Sequence, residues 1–376
     1  MSGIYIHIPF CRSKCSYCDF YSVVNNNLLS EFLPALFKEF ELKRNFLKDK
    51  KIKTVYFGGG TPSVLKIEQI NKITNELYKF YDLSELEEFS FEANPEDLSL
   101  KYLKELKNTP INRISIGVQS FYDEILLKLR RKHDVNSAVS AITNSQKAGF
   151  ENICADLIYG ISGLNNDMWK MTLNKIFNLP VKHLSAYHLS IEPDTILYKQ
   201  VNQKKYNPVD DETGWEQFVL LSETAKKNGF EHYEISNFSL PKYRAVHNSS
   251  YWDNVEYSGF GPSAHSYFSN IRLWNTDRIK TYISKINNGE IFYETEEIDE
   301  LKKYNEYLIK KLRTAEGLDF KEMEQFLGKS YLIELKQKIT LINNKYFKIN
   351  NNKFSLTLEG LFISDNIIRQ LMKGEE

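Results

Sequence analysis

The segment Tyr5-Ile-His-Ile-Pro-Phe-Cys11-Arg-Ser-Lys-Cys15-Ser-Tyr-Cys18 decides the fold of this chain, because it joins a strand pattern to a cysteine cluster. Ile4, Ile6 and Ile8 alternate with other side chains, which predicts a β-strand with one apolar face. Three cysteines follow within eight residues. The polar residues between them indicate a loop that presents three thiolates to one metal centre.

The number of cysteines narrows the kind of metal centre. Structural zinc is bound by four ligands, and the chain has only one further cysteine, Cys154, in a predicted strand. His7 lies on the preceding strand and does not have the usual spacing of a zinc ligand. An iron–sulfur cluster with three protein ligands leaves one iron open to a small molecule. The loop therefore predicts such a cluster, and Cys154 is expected to be a core or lumen residue.

Downstream of this loop, strand and helix patterns alternate. The β-rich runs are Ile4–Phe10, Thr54–Phe57, Phe89–Ala93, Arg113–Val118, Asn152–Tyr159 and His183–Ser190. Six such repeats fit either an α/β barrel or an open doubly wound sheet. Polar residues alternate along several strands, which predicts a polar inner face around a cofactor, since closed barrels are filled by branched apolar residues. The alternative is that these polar residues lie only at strand ends.

The C-terminal part shows a different pattern. Helices are predicted at Tyr304–Arg313, Phe320–Leu327 and Tyr331–Leu341, and a hairpin at Tyr346–Ile349 and Lys353–Leu356. This order predicts a winged-helix-like α+β domain. We expect a core over 1–235, a connecting segment over 236–295 and the C-terminal domain over 296–376. The small excess of Lys and Arg in that domain favours an interaction or packing role over nucleic-acid binding.

Composition excludes several classes of protein. The 376 residues are 42% hydrophobic, with 49 Lys and Arg against 49 Asp and Glu, so the chain is neither disordered nor collagen-like. Zero net charge gives no overall attraction to nucleic acid or anionic membrane. The N-terminus lacks the pattern of a signal peptide, and no apolar run approaches the roughly 18 residues of a membrane span. A cytoplasmic protein is expected.

Several motifs together resemble a known family. The cysteine spacing, Tyr5-Ile-His-Ile-Pro-Phe-Cys11 and Gly58-Gly59-Gly60-Thr61-Pro62-Ser63 are similar to the HemN-like group of the radical S-adenosylmethionine superfamily. The resemblance implies a partial (β/α)6 barrel and a [4Fe–4S] cluster on Cys11, Cys15 and Cys18. It further implies that S-adenosylmethionine chelates the open iron and is cleaved by one electron from the cluster. The family's cofactor contacts match Tyr5, Tyr17, Gly59, Gly60, Thr61, Glu92, Gln119, Arg131 and Asp156.

The chemistry of these residues can be judged separately. Glu92 suits a cationic amino group, Gln119 and Asp156 suit ribose hydroxyls, and Arg131 suits a carboxylate. Gly58–Gly60 lets the backbone approach a ligand and offers it N–H groups, although a triple glycine is equally a turn. Each polar residue alone is as readily a structural hydrogen-bonding group. One departure from the family is Ser162, where relatives commonly have proline after Tyr-Gly-Ile; it removes no ligand.

Two branches of the group must be distinguished. The oxygen-independent coproporphyrinogen III oxidases carry a fourth cysteine two residues after the third and an N-terminal extension. Here that position is Phe20, and only four residues precede Tyr5. The segment His247-Asn-Ser-Ser-Tyr-Trp252 matches the HNxxYW motif of the heme chaperones, and an imidazole can ligate heme iron. His247 is therefore the candidate heme ligand, and the rival ligands are His188, His232 and His265. In the alternative interpretation His247 only caps a loop.

These features predict a heme chaperone with a [4Fe–4S] cluster, S-adenosylmethionine and heme as cofactors. Its expected partners are a heme-acceptor protein, such as a respiratory cytochrome at a membrane, and an electron donor for the cluster. Cluster and nucleotide either gate heme transfer or form a transient covalent bond. Two alternatives stay open: a radical enzyme that oxidises or decarboxylates a tetrapyrrole, and nucleic-acid binding through the winged helix.

Overall fold

Six parallel strands form the centre of the computed structural model, which describes residues 2–24, 26–291 and 293–374. They are β1 Ser2–Ile8, β2 Ile52–Gly59, β3 Glu88–Ala93, β4 Arg113–Gln119, β5 Asn152–Tyr159 and β6 His183–His188. The strands lie side by side in chain order. Because no pair reverses that order, the sheet has no topological switch point and curls in one direction. The predicted partial barrel is confirmed, and the doubly wound alternative is wrong.

Helices connect these strands on the outer face. They are α1 Leu29–Leu42, α2 Ile67–Phe80, α3 Leu100–Leu106, α4 Asp123–Lys128, α5 Val135–Lys147 and α6 Asn166–Phe177; α7 Ile196–Asn202 and α8 Asp211–Lys227 follow β6. In β1, the side chains of Ile4, Ile6 and Ile8 are fully buried in the main hydrophobic core. Burial of each contributes about 1.5–3 kcal/mol. Tyr5 and His7 consequently point to the inner face of the barrel.

Further strands extend both edges of this sheet. On one edge β9 Glu256–Phe260 runs parallel to β1, followed by the antiparallel strands β10 His265–Phe268, β11 Ile271–Asn275 and β12 Tyr293–Glu297. On the other edge β8 Asn237–Ser239 pairs with β6 and β7 Glu231–Glu234. Helices α9 Val246–Trp252 and α10 Ile279–Asn287 lie between these strands.

These edge strands span both of the expected domain boundaries. The predicted boundary at 235 falls between β7 and β8, which pair with each other, and the boundary at 295 falls inside β12. The segment 236–295 is thus part of the sheet, and its Phe260 and Tyr282 belong to the main core. We propose two units, 2–297 and 300–374.

The C-terminal unit has its own hydrophobic core. Its elements are α11 Glu300–Leu312, β13 Leu318–Asp319, α12 Phe320–Leu327, α13 Lys329–Ile339, β14 Phe347–Asn350, β15 Lys353–Leu356, α14 Leu358–Phe362 and α15 Ser364–Leu371. The strand order β13-β15-β14 and the helix order are those of the predicted winged helix. At the hairpin, Asn351 and Asn352 have φ values of 49° and 70°, as a tight primed turn requires. Phe362 packs this unit against Trp215 of α8, with ring centroids 5.5 Å apart.

No helix within the described ranges is both long enough and apolar enough to cross a lipid bilayer.

Candidate functional site

A cavity of about 450 Å³ opens at the carboxyl ends of the barrel strands. Its strand-borne wall is mostly polar: Tyr56, Glu92, Arg113, Ser115, Gly117, Gln119, Asp156, Ser185 and Tyr187. These residues follow the two-residue period of their strands, so the inner face is polar along much of its length and not only at strand ends. The cysteine loop covers one end of the cavity.

The cysteine loop is fixed at three points. The Cys11 N–H donates to the Val23 carbonyl at 3.0 Å, and the Ser16 N–H donates to the Leu129 carbonyl at 3.1 Å. The Leu197 N–H donates back to the Ser16 carbonyl at 2.7 Å. Satisfying these backbone groups ties the loop to α4 and α7, so the thiols have a defined position before any metal binds.

The thiols suit a cluster better than a single ion. Within the ranges that the structure describes, no three His, Cys, Asp or Glu side chains are close enough together to hold one metal ion. Cys11, Cys15 and Cys18 are free and all line the cavity. Separate thiols can each bind a different iron of a cluster, so they need not converge on one point. Burial raises the pKa of Cys11 and raises that of Cys18 to about 11, with Lys14 opposing both shifts. Bound iron would have to supply the positive charge that stabilises the thiolates.

Two neighbours already donate to the sulfur atoms. The Thr61 hydroxyl lies 3.2 Å from Cys11 Sγ, and Arg131 Nη1 lies 3.4 Å from Cys15 Sγ. Such contacts orient metal ligands and tune their charge. The donor set of this loop therefore fits the iron–sulfur cluster that the sequence predicts.

The part of the cavity wall around Glu92 and Asp156 is acidic. The Tyr56 hydroxyl donates to Glu92 Oε1 at 2.6 Å. Burial, together with the negative charge of Asp156, raises the pKa of Glu92 to about 7. Burial also raises the pKa of Asp156, which accepts from the Ser115 hydroxyl at 3.1 Å. Buried Arg113 opposes both shifts. Two carboxyl groups facing one cation favour a positively charged ligand group beside them.

Three cations lie beside the cysteine loop, where Asp19 and Glu96 also line the cavity. Arg131 Nη2 donates to Asn94 Oδ1 at 2.6 Å and to the Gly117 carbonyl at 2.9 Å. Its buried Nε has no hydrogen-bond partner among the described residues. Lys14 and Lys132 also line this end. The cavity wall thus presents both carboxylates and a guanidinium, which is complementary to a zwitterionic amino-acid moiety such as that of S-adenosylmethionine.

The glycine segment attaches the cysteine loop to β2. The Gly60 N–H donates to the Ile8 carbonyl at 2.9 Å, and the Thr61 N–H donates to the Phe10 carbonyl at 2.8 Å. A Cβ at Gly60 would lie 2.7 Å from the same Ile8 oxygen, closer than atoms can approach. The Gly59 backbone hydrogen-bonds to Glu92. The backbone groups of Gly59, Gly60 and Thr61 are therefore used within the protein, and the expectation that Gly58–Gly60 offers N–H groups to a ligand carboxylate stays a prediction.

All but one of the predicted cofactor residues line the cavity. They are Tyr17, Gly59, Gly60, Thr61, Glu92, Gln119, Arg131 and Asp156. Gln119 has a φ of 63°, a conformation that costs a non-glycine residue about 1–3 kcal/mol and often occurs at functional sites. Tyr5 instead stacks on Tyr56 with ring centroids 6.1 Å apart and lies 3.2 Å from His7 Nδ1 through its hydroxyl. Tyr5 supports the wall without lining it.

Sequence reasoning missed Tyr56, Asn94 and Arg113. The signal was present, since Arg113 shares the inner-face period of Ser115 and Tyr56 alternates with buried Phe57. Asn94 follows β3 directly and continues the two-residue period of Ser90 and Glu92, so the sequence predicts it on the polar face without giving it a role.

The HNxxYW segment lies on α9, beneath the cavity. His247 is 1% exposed; its Nδ1 lies 2.8 Å from the Thr54 hydroxyl and its Nε2 lies 2.7 Å from the Tyr251 hydroxyl. Its ring stacks on Tyr56 with centroids 5.1 Å apart. Burial lowers the pKa of His247 to about 3, so the imidazole is neutral. Both ring nitrogens are occupied, and Asn248 is the residue of this segment that reaches the cavity. The assignment of His247 as heme ligand stays a prediction, and this conformation presents no nitrogen to a heme iron.

The rival histidines lie in different places. His188 lines the cavity at the end of β6. His232 stacks on Phe238 with centroids 4.1 Å apart, and exposed His265 stacks on Trp274.

The cysteine loop on a polar partial barrel defines the class of protein, and residues 5–176 match the model of the Radical SAM superfamily. Over 369 residues the chain is 33% identical to the heme chaperone HemW of Lactococcus lactis subsp. lactis (strain IL1403), covering 94% of this chain and 96% of that protein. It is 34% identical over 335 residues to heme chaperone HemW of Bacillus subtilis (strain 168), covering 88% of each. The chain belongs to the HemW family.

The fold is also that of a solved relative. The structure of coproporphyrinogen III oxidase (HemN) from Escherichia coli, a radical SAM enzyme, superposes with a TM-score of 0.85. The match covers 99% of this chain and 90% of that one at 20% identity, so the likeness concerns the fold.

Proposed function

We propose that this chain is a heme chaperone that binds a [4Fe–4S] cluster through Cys11, Cys15 and Cys18 and S-adenosylmethionine in the central cavity. The superfamily implies both cofactors. The two relatives named above are heme chaperones, and this chain matches 96% and 88% of their lengths. The observation that carries the cofactor assignment is one cavity lined by three free thiols, by buried carboxylates and by Arg131.

The residues of the cavity have distinct roles in this proposal. Glu92 binds the amino group of the methionine moiety, and Arg131 binds its carboxylate beside the cysteine loop. Gln119 and Asp156 hold the ribose hydroxyls, and Tyr17 closes the cavity wall next to the cysteines. When bound, the cluster and S-adenosylmethionine supply one-electron chemistry.

Phe20 favours heme delivery over porphyrinogen oxidation. It stands where the oxidases carry their fourth cysteine, and it is 65% exposed at the cavity mouth. A phenyl ring cannot ligate metal, and it offers apolar surface to a flat ligand or a partner protein. We propose that this chain holds heme for transfer to an acceptor protein, with an electron donor that reduces the cluster.

The cluster assignment is tested by anaerobic reconstitution of the wild type and of a triple variant in which Cys11, Cys15 and Cys18 are replaced by alanine. We expect four irons and four sulfides per chain in the wild type and neither in the triple variant. Cys154→Ser is the matched control, because Cys154 is buried outside the cavity wall and bonds to His183 Nδ1 at 3.0 Å. Retention of cluster iron and sulfide by the triple variant would contradict the assignment.

The chaperone assignment is tested on the same reconstituted protein. We expect stoichiometric heme binding, transfer of that heme to an apo-cytochrome, and no decarboxylation of coproporphyrinogen III in the presence of S-adenosylmethionine and reductant. Turnover of coproporphyrinogen III without heme retention would assign the chain to the oxidases instead.

A further inference from the structure

A second cavity, of about 590 Å³, lies on the outer side of the cysteine loop; we call it the outer groove. Ser13, Lys14, Arg131 and Lys132 line both this groove and the central cavity. The residues that line the groove alone are Arg12, Val24, Leu127, Arg130 and Ile196. A ligand in the groove would therefore be separated from the central cavity only by the loop that carries the cysteines.

The groove carries positive charge beyond that of Arg12, which forms an ion pair with Asp97 at 2.7 Å. Arg130 and Lys132 are exposed, and no carboxylate among the described residues forms an ion pair with either. Lys14 donates to the Phe20 carbonyl at 2.7 Å and to the Ser22 hydroxyl at 3.3 Å, both of which are uncharged. Such a concentration of cations around one concave surface attracts anionic ligand groups.

Apolar side chains stand among these cations. Leu127 is 77% exposed and Val24 is 55% exposed, and Ile196 completes the same wall. Exposed aliphatic side chains grouped in a groove are stabilised when a ligand covers them. A ligand with a broad apolar body and at least one anionic group, such as a carboxylate, would match both features of the groove.

We propose that the outer groove binds the porphyrin of heme, with its propionates on Arg130 and Lys132 and its apolar edge against Leu127 and Val24. This inference rests on the proposed function and locates its cargo. It also separates heme from S-adenosylmethionine, which occupies the central cavity on the other side of the cysteine loop.

The groove recognises the porphyrin and not its iron. None of the described residues that line it is a histidine, cysteine, methionine or tyrosine, the side chains that ligate heme iron. Iron-free protoporphyrin IX should accordingly bind as tightly as heme. A site built on His247 or His188 would instead lose most of its affinity without iron.

The test compares two double variants of the reconstituted protein. The groove variant, Arg130→Gln with Leu127→Ser, changes residues that lie outside the central cavity. The control variant, Lys226→Gln with Leu341→Ser, removes the same charge and a leucine that is 82% exposed on the C-terminal unit. Heme and protoporphyrin IX are titrated by tryptophan quenching, and the cluster absorbance verifies folding.

We expect the groove variant to bind both ligands about tenfold more weakly, since it loses one charge-assisted contact and one apolar contact. The control should stay within about twofold of wild type on the same scale. Unchanged affinity in the groove variant would overturn the inference and leave the chaperone function standing. Wild-type protein that binds no heme would refute the proposed function itself. Slower cluster reduction by an acidic electron-transfer protein, with unchanged porphyrin affinity, would assign the groove to that donor and also overturn the inference.

Discussion

Replacing Glu92 by glutamine should stabilise the ligand-free barrel at alkaline pH. The folded protein holds the pKa of Glu92 at about 7, against an ordinary value of 4.5, because the carboxyl is buried and faces Asp156. At a pH between these two values, the Glu92 carboxyl is protonated in the folded protein and ionised in the unfolded chain. Stability is therefore lost as the pH rises from 4.5 to about 7.

The size of this effect follows from the two pKa values. One pH unit between them is worth about 1.4 kcal/mol, so the ionised carboxylate costs the folded protein at most about 3 kcal/mol above pH 7. Glutamine has the same shape and keeps an acceptor for the Tyr56 hydroxyl and the Gly59 N–H, but it carries no charge. The variant should be less than about 0.5 kcal/mol more stable than wild type at pH 4.5 and about 2–3 kcal/mol more stable at pH 8.

Tryptophan fluorescence during urea unfolding measures this difference selectively. All four tryptophans, Trp169, Trp215, Trp252 and Trp274, lie in the barrel unit, so the signal does not report the C-terminal unit. Exposed Glu223→Gln is the control and should show no such pH dependence. A constant offset between Glu92→Gln and wild type from pH 4.5 to 8 would refute the reasoning. S-adenosylmethionine should bind the Glu92 variant about tenfold more weakly, because an ionic contact to the amino group is lost.

Three further outcomes are expected. Gly60→Ala places a Cβ 2.7 Å from the Ile8 carbonyl oxygen, so we expect lower cluster content and a barrel less stable by about 2–4 kcal/mol. Gly374 has open space around it, so the control Gly374→Ala should change neither quantity. Thr54→Val removes the 2.8 Å hydrogen bond to His247 Nδ1 and should cost about 1–3 kcal/mol in urea unfolding; an unchanged midpoint would contradict the bond. Because the two cavities share four wall residues, bound protoporphyrin IX should change the affinity for S-adenosylmethionine. Bound S-adenosylmethionine should change the affinity for protoporphyrin IX by the same factor, and equal affinities with and without the other ligand would exclude this coupling.

Much of the fold could be predicted from periodicity. The strand Asn152–Tyr159 and the helix Phe320–Leu327 were predicted with the bounds that the structure shows, because their apolar residues keep one period from end to end. The strands at both sheet edges were not predicted. β8 and β10 have three and four residues, too short for a period to stand out, and they form because neighbouring strands offer unpaired backbone groups.

The site was predictable where chemistry and period coincide. Glu92, Gln119 and Asp156 share the inner face of their strands, and the structure places all three in one cavity wall. Arg131 was ambiguous, since Arg130 and Lys132 adjoin it in sequence. Only the fold separates Arg131 from Arg130. Arg131 turns inward to Asn94, whereas Arg130 lines the outer groove and not the central cavity. Which of three adjacent cations faces a cavity depends on backbone torsions, and the φ of 59° at Arg130 has no signature in the sequence.

The HNxxYW segment has a physical role that requires no bound iron. A buried histidine that fixes two hydroxyls is as distinctive in sequence as a metal ligand, and the sequence cannot tell the two apart. In the structure His247 connects α9 to β2 through Thr54, and its ring holds Tyr56 in the position from which that tyrosine bonds to Glu92. The Val246 and His247 N–H groups donate to buried Glu88, so that carboxylate fixes the start of α9. Loss of His247 would therefore weaken cofactor binding at Glu92 even if heme binds elsewhere, and a heme defect in such a variant does not by itself identify an iron ligand.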